Sequence, residues 1–404
     1  MALEIRPINS EQFETFARSG AASFGDVHVE HIDDEKALLD LDLTLAGFDG
    51  EEIVSTAAFF EFDLSVPGNQ LPAAGVTWVS VRPTHRRQGA LTQMMDRQLK
   101  DVHERGQAIA ALWASESLIY GRFGYGVGSL GVDLSIERGF TNLVNGVAST
   151  GKCRLVSREE ALTAWPKVYN QRAPGQPGMY SRAETWWKHH SLRYDDPAKA
   201  KEATFFVQYE EDGDPLGYAR YTIRKGWRDN FPNGKLTVEE LVTLTDAAYA
   251  ALWNYIFGVD LISTYGASGC RIDEPLFWML EEPRRLATRS YDALWVRLVD
   301  VRAALEARRY AAEGSIVIEV EDSFCPWNTG RYQLQAGPEG AICKPTKAKP
   351  DIALTAADLA AMYLSAATAR TLAQAGRVEG DPDAIQRVDR LFGWDVTPWC
   401  PEVF

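Results

Sequence analysis

The sequence predicts a mixed α/β fold, with α+β mixed sheets, in three units at about residues 1–150, 151–294 and 295–404. Three observations predict it. Short apolar runs alternate with segments of helical period, and the order hairpin, strand, helix, strand occurs twice along the chain. A length of 404 residues also exceeds what one core ordinarily holds, since domains cluster at roughly 100–200 residues.

In the first unit "LEIRPI" reads as a strand, and "SEQFETFARSGAASF" as a helix opened by Ser10 as its N-cap. Two apolar runs around Asp49-Gly50 form a hairpin, the strongest short-range turn signal. "GVTWVSVRP" is a strand closed by Pro83. Leu91, Met94, Met95, Leu99 and Val102 then recur at helical spacing up to Gly106. A buried strand "AIAALWAS", a short helical "LIYGRFG" and a last strand "GSLGVDLSIE" complete the unit. The second unit opens with two aromatic helical segments. It continues with a hairpin around Asp212-Gly213, the strand "KLTVEELVTL", the helix "TDAAYAALWNYIFG" and the strand "DLISTYG", an order that points to a degenerate internal duplication. The third begins "VDVRAALEARRY", carries three strands and closes with two helices, a small α+β arrangement.

The formal charge of -14, from 42 basic and 56 acidic residues, excludes the basic footprint that nucleic acid binding needs. It suits a cationic partner. Five scattered cysteines without CxxC spacing fit a reduced compartment and neither a disulfide framework nor a metal site. The opening "MALEIRPINSEQF" has no basic or apolar leader, and no run approaches the ~20 apolar residues of a membrane span. The expectation is a cytoplasmic protein without membrane attachment.

Chemistry concentrates in two stretches. In "VTWVSVRPTHRRQGALTQMMDRQL" a buried strand enters a basic turn, Arg86-Arg87-Gln88-Gly89-Ala90, and then an amphipathic helix. The first turn of a helix has unpaired N–H groups and a positive partial charge, Gly89 admits close backbone approach, and two arginines add charge-assisted bonds, so the turn fits a pyrophosphate. A solvated basic turn is the plainer alternative, and the flanking strand and helix favour the anion site. In "LWASESLIYGRFGYGVG" Tyr120 follows the next strand, at the same end of the sheet as the basic turn. A tyrosine near pKa 10 lies about 1.5 units above a thiol, so protonating a departing thiolate costs only about 2 kcal/mol. Tyr125 is its rival. His189 and His190 diverge on a helix and read as surface or packing, and His85 as a loop cap.

Arg-x-x-Gly after a strand resembles the coenzyme A loop of GNAT acetyltransferases, with Leu91 departing from the small residue usual at the last position. With "ASESLIYGRFGYG", "LWVRLVDVRAALEARRYA" and the final "PEVF", the whole chain resembles the Eis (enhanced intracellular survival) family of GNAT enzymes. The resemblance implies two tandem GNAT-type domains followed by a sterol-carrier-protein-like domain. It implies acetyl-CoA as cosubstrate with no metal, held by Val79, Val81, Arg86, Arg87, Gly89, Ala90 and Ser115. It gives Tyr120 as general acid and the carboxylate of Phe404 as base. It places Phe24, Asp26, Trp78, Trp113 and Glu402 around a cationic amine, either an aminoglycoside-like small molecule or a lysine side chain, in a homo-oligomer of six. Trp113 stands where the best-known members carry His, and Glu402 is third from the end rather than next to last.

A carboxylate near pKa 3.5 lies about 5 units or more below an alkylammonium, roughly 7 kcal/mol uphill. Burial among the apolar residues before Phe404 closes most of that gap, and a relay through water would also serve. The central unit has no Arg-x-x-Gly loop after its strand and is expected to act as scaffold and pocket wall. The competing reading is a non-catalytic acyl-CoA binding module or a lipid or sterol carrier.

Overall fold

A computed structural model describes residues 3–26, 29, 31–144, 149–193 and 202–404. The chain divides into two compact units, one of Met1–Ser129, Asp292–Val396 and Phe404, the other of Leu130–Tyr291 and Thr397–Val403.

The first unit holds two sheets. Its seven-stranded sheet runs Glu4–Arg6, Thr44–Asp49, Glu52–Val66, β1 (Asn69–Val81), β2 (Ile109–Trp113), Leu294–Leu298 and Gly126–Val127. Glu52–Val66 and β1 form a long antiparallel hairpin, with Val66 opposite Asn69. β1 and β2 are parallel and so need a crossover, which α1 (Ala90–Glu104) supplies. The apolar stripe read from the sequence is the buried face of α1: Met94, Met95, Leu99 and Val102 are fully enclosed. The second sheet, from the C-terminal part, has the order Gly340–Pro345, Gly330–Gly337, Gly314–Glu321, Ile352–Thr355, Val378–Gly380.

The seven-stranded sheet of the second unit runs Ala287–Asp292, Leu130–Glu137, β4 (Ile262–Arg271), β3 (Gly234–Thr243), Asp214–Arg224, Ala203–Glu211 and Lys152–Val156. β3 and β4 are parallel, and α2 (Asp246–Phe257) connects them, capped by Thr245. Hairpin, parallel pair and crossover helix thus occur in both units, as the suspected duplication requires.

Several local readings change. Leu130–Glu137, read as the last strand of the first unit, pairs with β4 in the second unit's sheet, because Val132, Leu134 and Ile136 have that unit's core to fill. Leu294–Leu298, placed within and beyond the second boundary, is a strand of the first sheet. Each of its five residues is buried, so it needs a place with neighbours on both edges, which β2 and Gly126–Val127 provide. Its charged residue, Arg297, is accommodated by an ion pair with Asp322 at 2.6 Å, both side chains essentially sealed from solvent. The first helix begins at Phe13 rather than at Ser10. Asn9 takes the capping role, its side chain accepting from the Gln12 N–H at 3.0 Å. The helix Ile32–Leu38, three acids in one turn with few apolar residues, has no sequence signal that periodicity detects.

Candidate active site

β1 and β2 pair over only three steps, the last being Gly75 with Ala111. Beyond it the two strands separate. The cause is visible on β1: Thr56 faces Ser80 while Ala58 faces Thr77, so Trp78 and Val79 form a bulge opposite Ala57. Trp78 has a φ of 55°, and its carbonyl accepts from the Thr56 hydroxyl at 2.7 Å. A bulge re-aims a strand and is common beside active sites. Here it turns the stretch Val79–Val81 away from β2 and leaves a wedge whose β1 wall is half-buried at Val79 and Val81.

The basic turn lies at the open end of this wedge. The Arg86 guanidinium donates to the carbonyls of Val81 at 3.2 Å and Ser23 at 2.8 Å, tying the turn to β1 and to the end of helix Phe13–Phe24. Arg87 and Gly89 both have left-handed backbone, φ 62° and 85°, and both are exposed, while Ala90 is buried as the first residue of α1. Gly89 is the N-cap of α1 and a Cβ there would meet only Gln93 Nε2 at 3.8 Å. Space does not select glycine; backbone conformation does. Gly89→Ala is therefore expected to lower stability by about 1–2 kcal/mol through left-handed strain, which a thermal scan checks. His85 bridges the Thr84 hydroxyl at 2.8 Å and Asp49 at 3.2 Å, as a loop cap does.

β2 delivers the second half of the site. Trp113, its last residue, is half-buried, and its indole N–H is enclosed without a hydrogen-bond partner among the described residues. Ser115 is exposed and hydrogen-bonds Tyr120, which is 5 % exposed at the end of the short helix Ser117–Tyr120. Burial pushes the Tyr120 phenol above its ordinary 10.0; the Ser115 hydrogen bond works against this and the Glu116 charge adds to it. Tyr125 is fully enclosed, its ring edge-on to Tyr120 at 5.9 Å, and burial raises it far more, with Arg297 opposing. Of the two tyrosines, only Tyr120 reaches solvent. Gly124 between them has a φ of 82°, and a Cβ there would lie 2.6 Å from the Arg297 guanidinium, which accounts for a glycine in "GRFGYG".

The other residues that the resemblance places around the amine, and the terminal residue it gives as base, lie in different places. Trp78 stacks on Phe16 at 5.7 Å, so its ring is committed in part to the first helix. Phe24, 59 % exposed, and the exposed Asp26 follow at that helix's end, next to the Ser23 carbonyl held by Arg86. Phe404 packs edge-on against Phe62 at 5.0 Å; that ring fills the space over Gly75, where a Cβ would overlap it. The last residue therefore sits on the side chain that covers the final parallel pair, where the wedge opens.

Glu402 does something else. In the second unit its carboxylate pairs with Arg182 at 3.1 Å and accepts from Tyr180 at 3.1 Å, Trp186 at 2.9 Å and Ser191 at 2.9 Å. The resemblance places it at the substrate; in this unit it has four donors on one oxygen, which fasten the tail. Arg182 is sealed, also pairs with Glu240 at 2.9 Å, and lies over the rings of Tyr169 and Trp187 at 4.0 and 4.9 Å. Burial would raise Glu402, but the charges of Arg182, His190 and Arg220 outweigh it and hold it at about 2. Glu240, with the same guanidinium but fewer donors, is pushed up by burial and by the charge of Glu402 against the pull of Arg182. The rest of the tail is fastened in the same unit. Trp399 donates to the carbonyls of Pro177 at 2.8 Å and Gly269 at 2.7 Å, and His190 meets the Val403 carbonyl at 2.8 Å. Sequence spacing gave no signal for Arg182, whose role depends on a partner far along the chain.

Among the described residues no group of three or more His, Cys, Asp or Glu could hold a metal ion, and no helix is long and apolar enough to cross a membrane.

Comparison with known proteins agrees with this geometry. An acetyltransferase (GNAT) domain family matches residues 4–128, a second acetyltransferase (GNAT) domain family 178–302, and a sterol carrier protein domain family 301–401. The chain is 37% identical to an N-acetyltransferase of Streptomyces avermitilis over the full length of both. It is 33% identical to N-acetyltransferase Eis of Mycobacterium tuberculosis, covering 86% of this chain and 85% of that one. The crystal structure of Eis1 from Mycobacterium abscessus superimposes with a TM-score of 0.86 at 30% identity, covering 99% of this chain and 100% of that one. A GCN5-related N-acetyltransferase from Anabaena variabilis shares the fold, with a TM-score of 0.87 over the whole of both chains at 20% identity.

Proposed function

Because the chain belongs to the Eis family of GNAT N-acetyltransferases, and is therefore an acyltransferase, we propose that it acetylates a polycationic amine, aminoglycoside-like or lysine-like, directly within a ternary complex. The observation that carries this reading is the wedge between β1 and β2, with the glycine-capped turn of α1 at its open end and Tyr120 on the strand's continuation.

The fit to acetyl-CoA rests on that wedge. An extended pantetheine chain can add to the free edge of β1 beyond Gly75 as a strand would. The first-turn N–H groups of α1 with Arg86 and Arg87 offer the cationic end a pyrophosphate needs, and the unpaired Trp113 N–H and Ser115 hydroxyl line the way to Tyr120. When bound, the thioester supplies the activated acetyl group.

The ammonium gives one proton to the Phe404 carboxylate, which passes it to solvent; the neutral amine forms the new N–C bond at the thioester carbon, and the second nitrogen proton leaves to solvent as the adduct collapses to the amide. As the C–S bond breaks, Tyr120 gives its phenolic proton to the sulfur, so the products are amide and free thiol. Tyr120 then recovers a proton from solvent. A raised phenol keeps its proton at neutral pH, as an acid must; the cost of giving it up grows with the same shift, and the Ser115 hydrogen bond offsets part of it.

Adding a short Gly-Ser segment after Phe404 tests the base. Turnover should fall at least 100-fold, within the range general bases supply, with thermal stability unchanged; normal turnover by a folded, extended chain would show that the terminal carboxylate has no part in the chemistry.

A further inference from the structure

The second unit repeats the wedge of the first with different chemistry. β3 and β4 pair in parallel as far as Val238 and Ala267. Immediately beyond, β3 carries a bulge: Tyr221 faces Val238 and Arg220 faces Glu240, leaving Glu239 over. The strands separate there as β1 and β2 do, and a cavity of about 450 Å³ lies between them, a size that takes a small molecule. Its walls are the diverging ends of β3 and β4, the first turns of α2, the segment around Glu274 and Trp278, and Trp399 and Pro401 of the tail.

Coenzyme A does not suit this wedge. No loop separates strand from helix: β3 ends at Thr243 and α2 begins at Asp246. The Thr245 side chain already accepts the Ala248 N–H at 3.1 Å, and Asp246 puts a carboxylate in the first turn, where a phosphate would otherwise sit. Other carboxylates line the cavity at Glu239, Glu240 and Glu274, of which Glu240 already shares Arg182 through its Oε1. Against them, Arg271 is paired with Asp273 at 3.8 Å and Arg172 donates to Gln176 at 2.7 Å. Four aromatic side chains, Tyr249, Trp253, Trp278 and Trp399, complete the lining. Carboxylates among aromatic faces are the arrangement that recognises an organic cation. The lining also holds polar atoms still to be satisfied: Tyr249 Oη, Trp253 Nε1 and Glu240 Oε2 are buried without a hydrogen-bond partner among the described residues.

We propose that this wedge is a second ligand site, and that it binds an organic cation, an amine carried on an apolar or aromatic body. Glu274 supports the assignment: burial pushes its carboxyl up to about 8 against hydrogen bonds from the Leu276 and Arg271 backbone, and a cation bound beside it would favour its ionised form. Since Trp399 and Pro401 belong to the wall, occupancy also stiffens the tail that the Glu402 anchor holds.

The test is a tryptophan-fluorescence titration of the full chain with phenethylammonium, with 2-phenylethanol as the neutral isostere, on wild type, Trp278→Ala and Glu239→Gln. Trp278 is 80% exposed, so its truncation leaves the fold intact. The expected result is saturable binding of the ammonium, about tenfold weaker in each variant and at least tenfold weaker for the alcohol, with acetyl transfer by Trp278→Ala at the wild-type rate. Three results would each overturn the proposal: no saturable binding at millimolar probe, equal affinity for ammonium and alcohol, or both variants binding as wild type does. None of these bears on acetyl transfer in the first unit, so the two readings fail independently.

Discussion

Replacing Tyr120 by Phe should lower kcat roughly 10²- to 10⁴-fold, the contribution of a positioned general acid, while KM for acetyl-CoA and the melting temperature stay close to wild type. The ring fills the same space, so only the proton donor is removed; Tyr120 is one of several aromatics in its cluster. Tyr125→Phe is the matched control. Its hydroxyl is enclosed with no partner among the described residues, so losing it should leave the rate within a few-fold. Because burial raises Tyr120 above its ordinary 10.0, the loss of activity from its ionisation lies on the alkaline side of pH 10 in the wild type. A thiol-release assay between pH 6 and 10, run on the three proteins, should therefore show no alkaline fall in the wild type from this group, and equal rates for wild type and Tyr120→Phe would remove the tyrosine from the mechanism.

The second large effect is on stability. Arg182→Ala leaves Glu240 and Glu402 buried side by side without their shared cation, and breaking a buried pair in this way costs about 3–5 kcal/mol. Calorimetry should show a lowered melting temperature. Glu402→Gln is expected to be milder, since Arg182 keeps Glu240 and the donors from Tyr180, Trp186 and Ser191 retain an oxygen acceptor. The pH dependence has a definite sign. Glu402 is lowered from an ordinary 4.5 to about 2, so the stability it contributes is fully present above 4.5 and lost as pH falls towards 2. Glu240 is raised, and its protonation on acidification relieves part of that loss. Unfolding followed from pH 6 to 2 should therefore be less acid-sensitive in Glu402→Gln than in wild type; identical acid profiles would mean that Glu402 is not the ionised partner.

How far the sequence was legible follows from the range of the interactions involved. α1 and its glycine turn were readable because periodicity, a left-handed glycine and flanking arginines are local. The wedge beside it was not, since it depends on Trp78 and Val79 bulging against Ala57 on another strand. Leu130–Glu137 is recognisable as a strand, but its sheet is set by non-local partners and lies in the second unit; Leu294–Leu298, cut by the 294/295 boundary, carries no local signal that it belongs beside β2. Glu402 shows the same limit at a single residue. The family resemblance places it near the substrate, and only the fold brings Arg182 to it. The cavity between β3 and β4 has no local signal, since its walls come from two strands, a helix and the tail.

The most direct measurement is continuous thiol release from acetyl-CoA by the wild-type protein across a panel of polyamines, aminoglycosides and lysine peptides. Amine-dependent release, with one acetylated amine per thiol and intersecting rather than parallel initial-rate lines, is the predicted result. Thiol release that no amine on a broad panel accelerates, or parallel lines with an isolable acetyl-enzyme, would contradict direct transfer in a ternary complex.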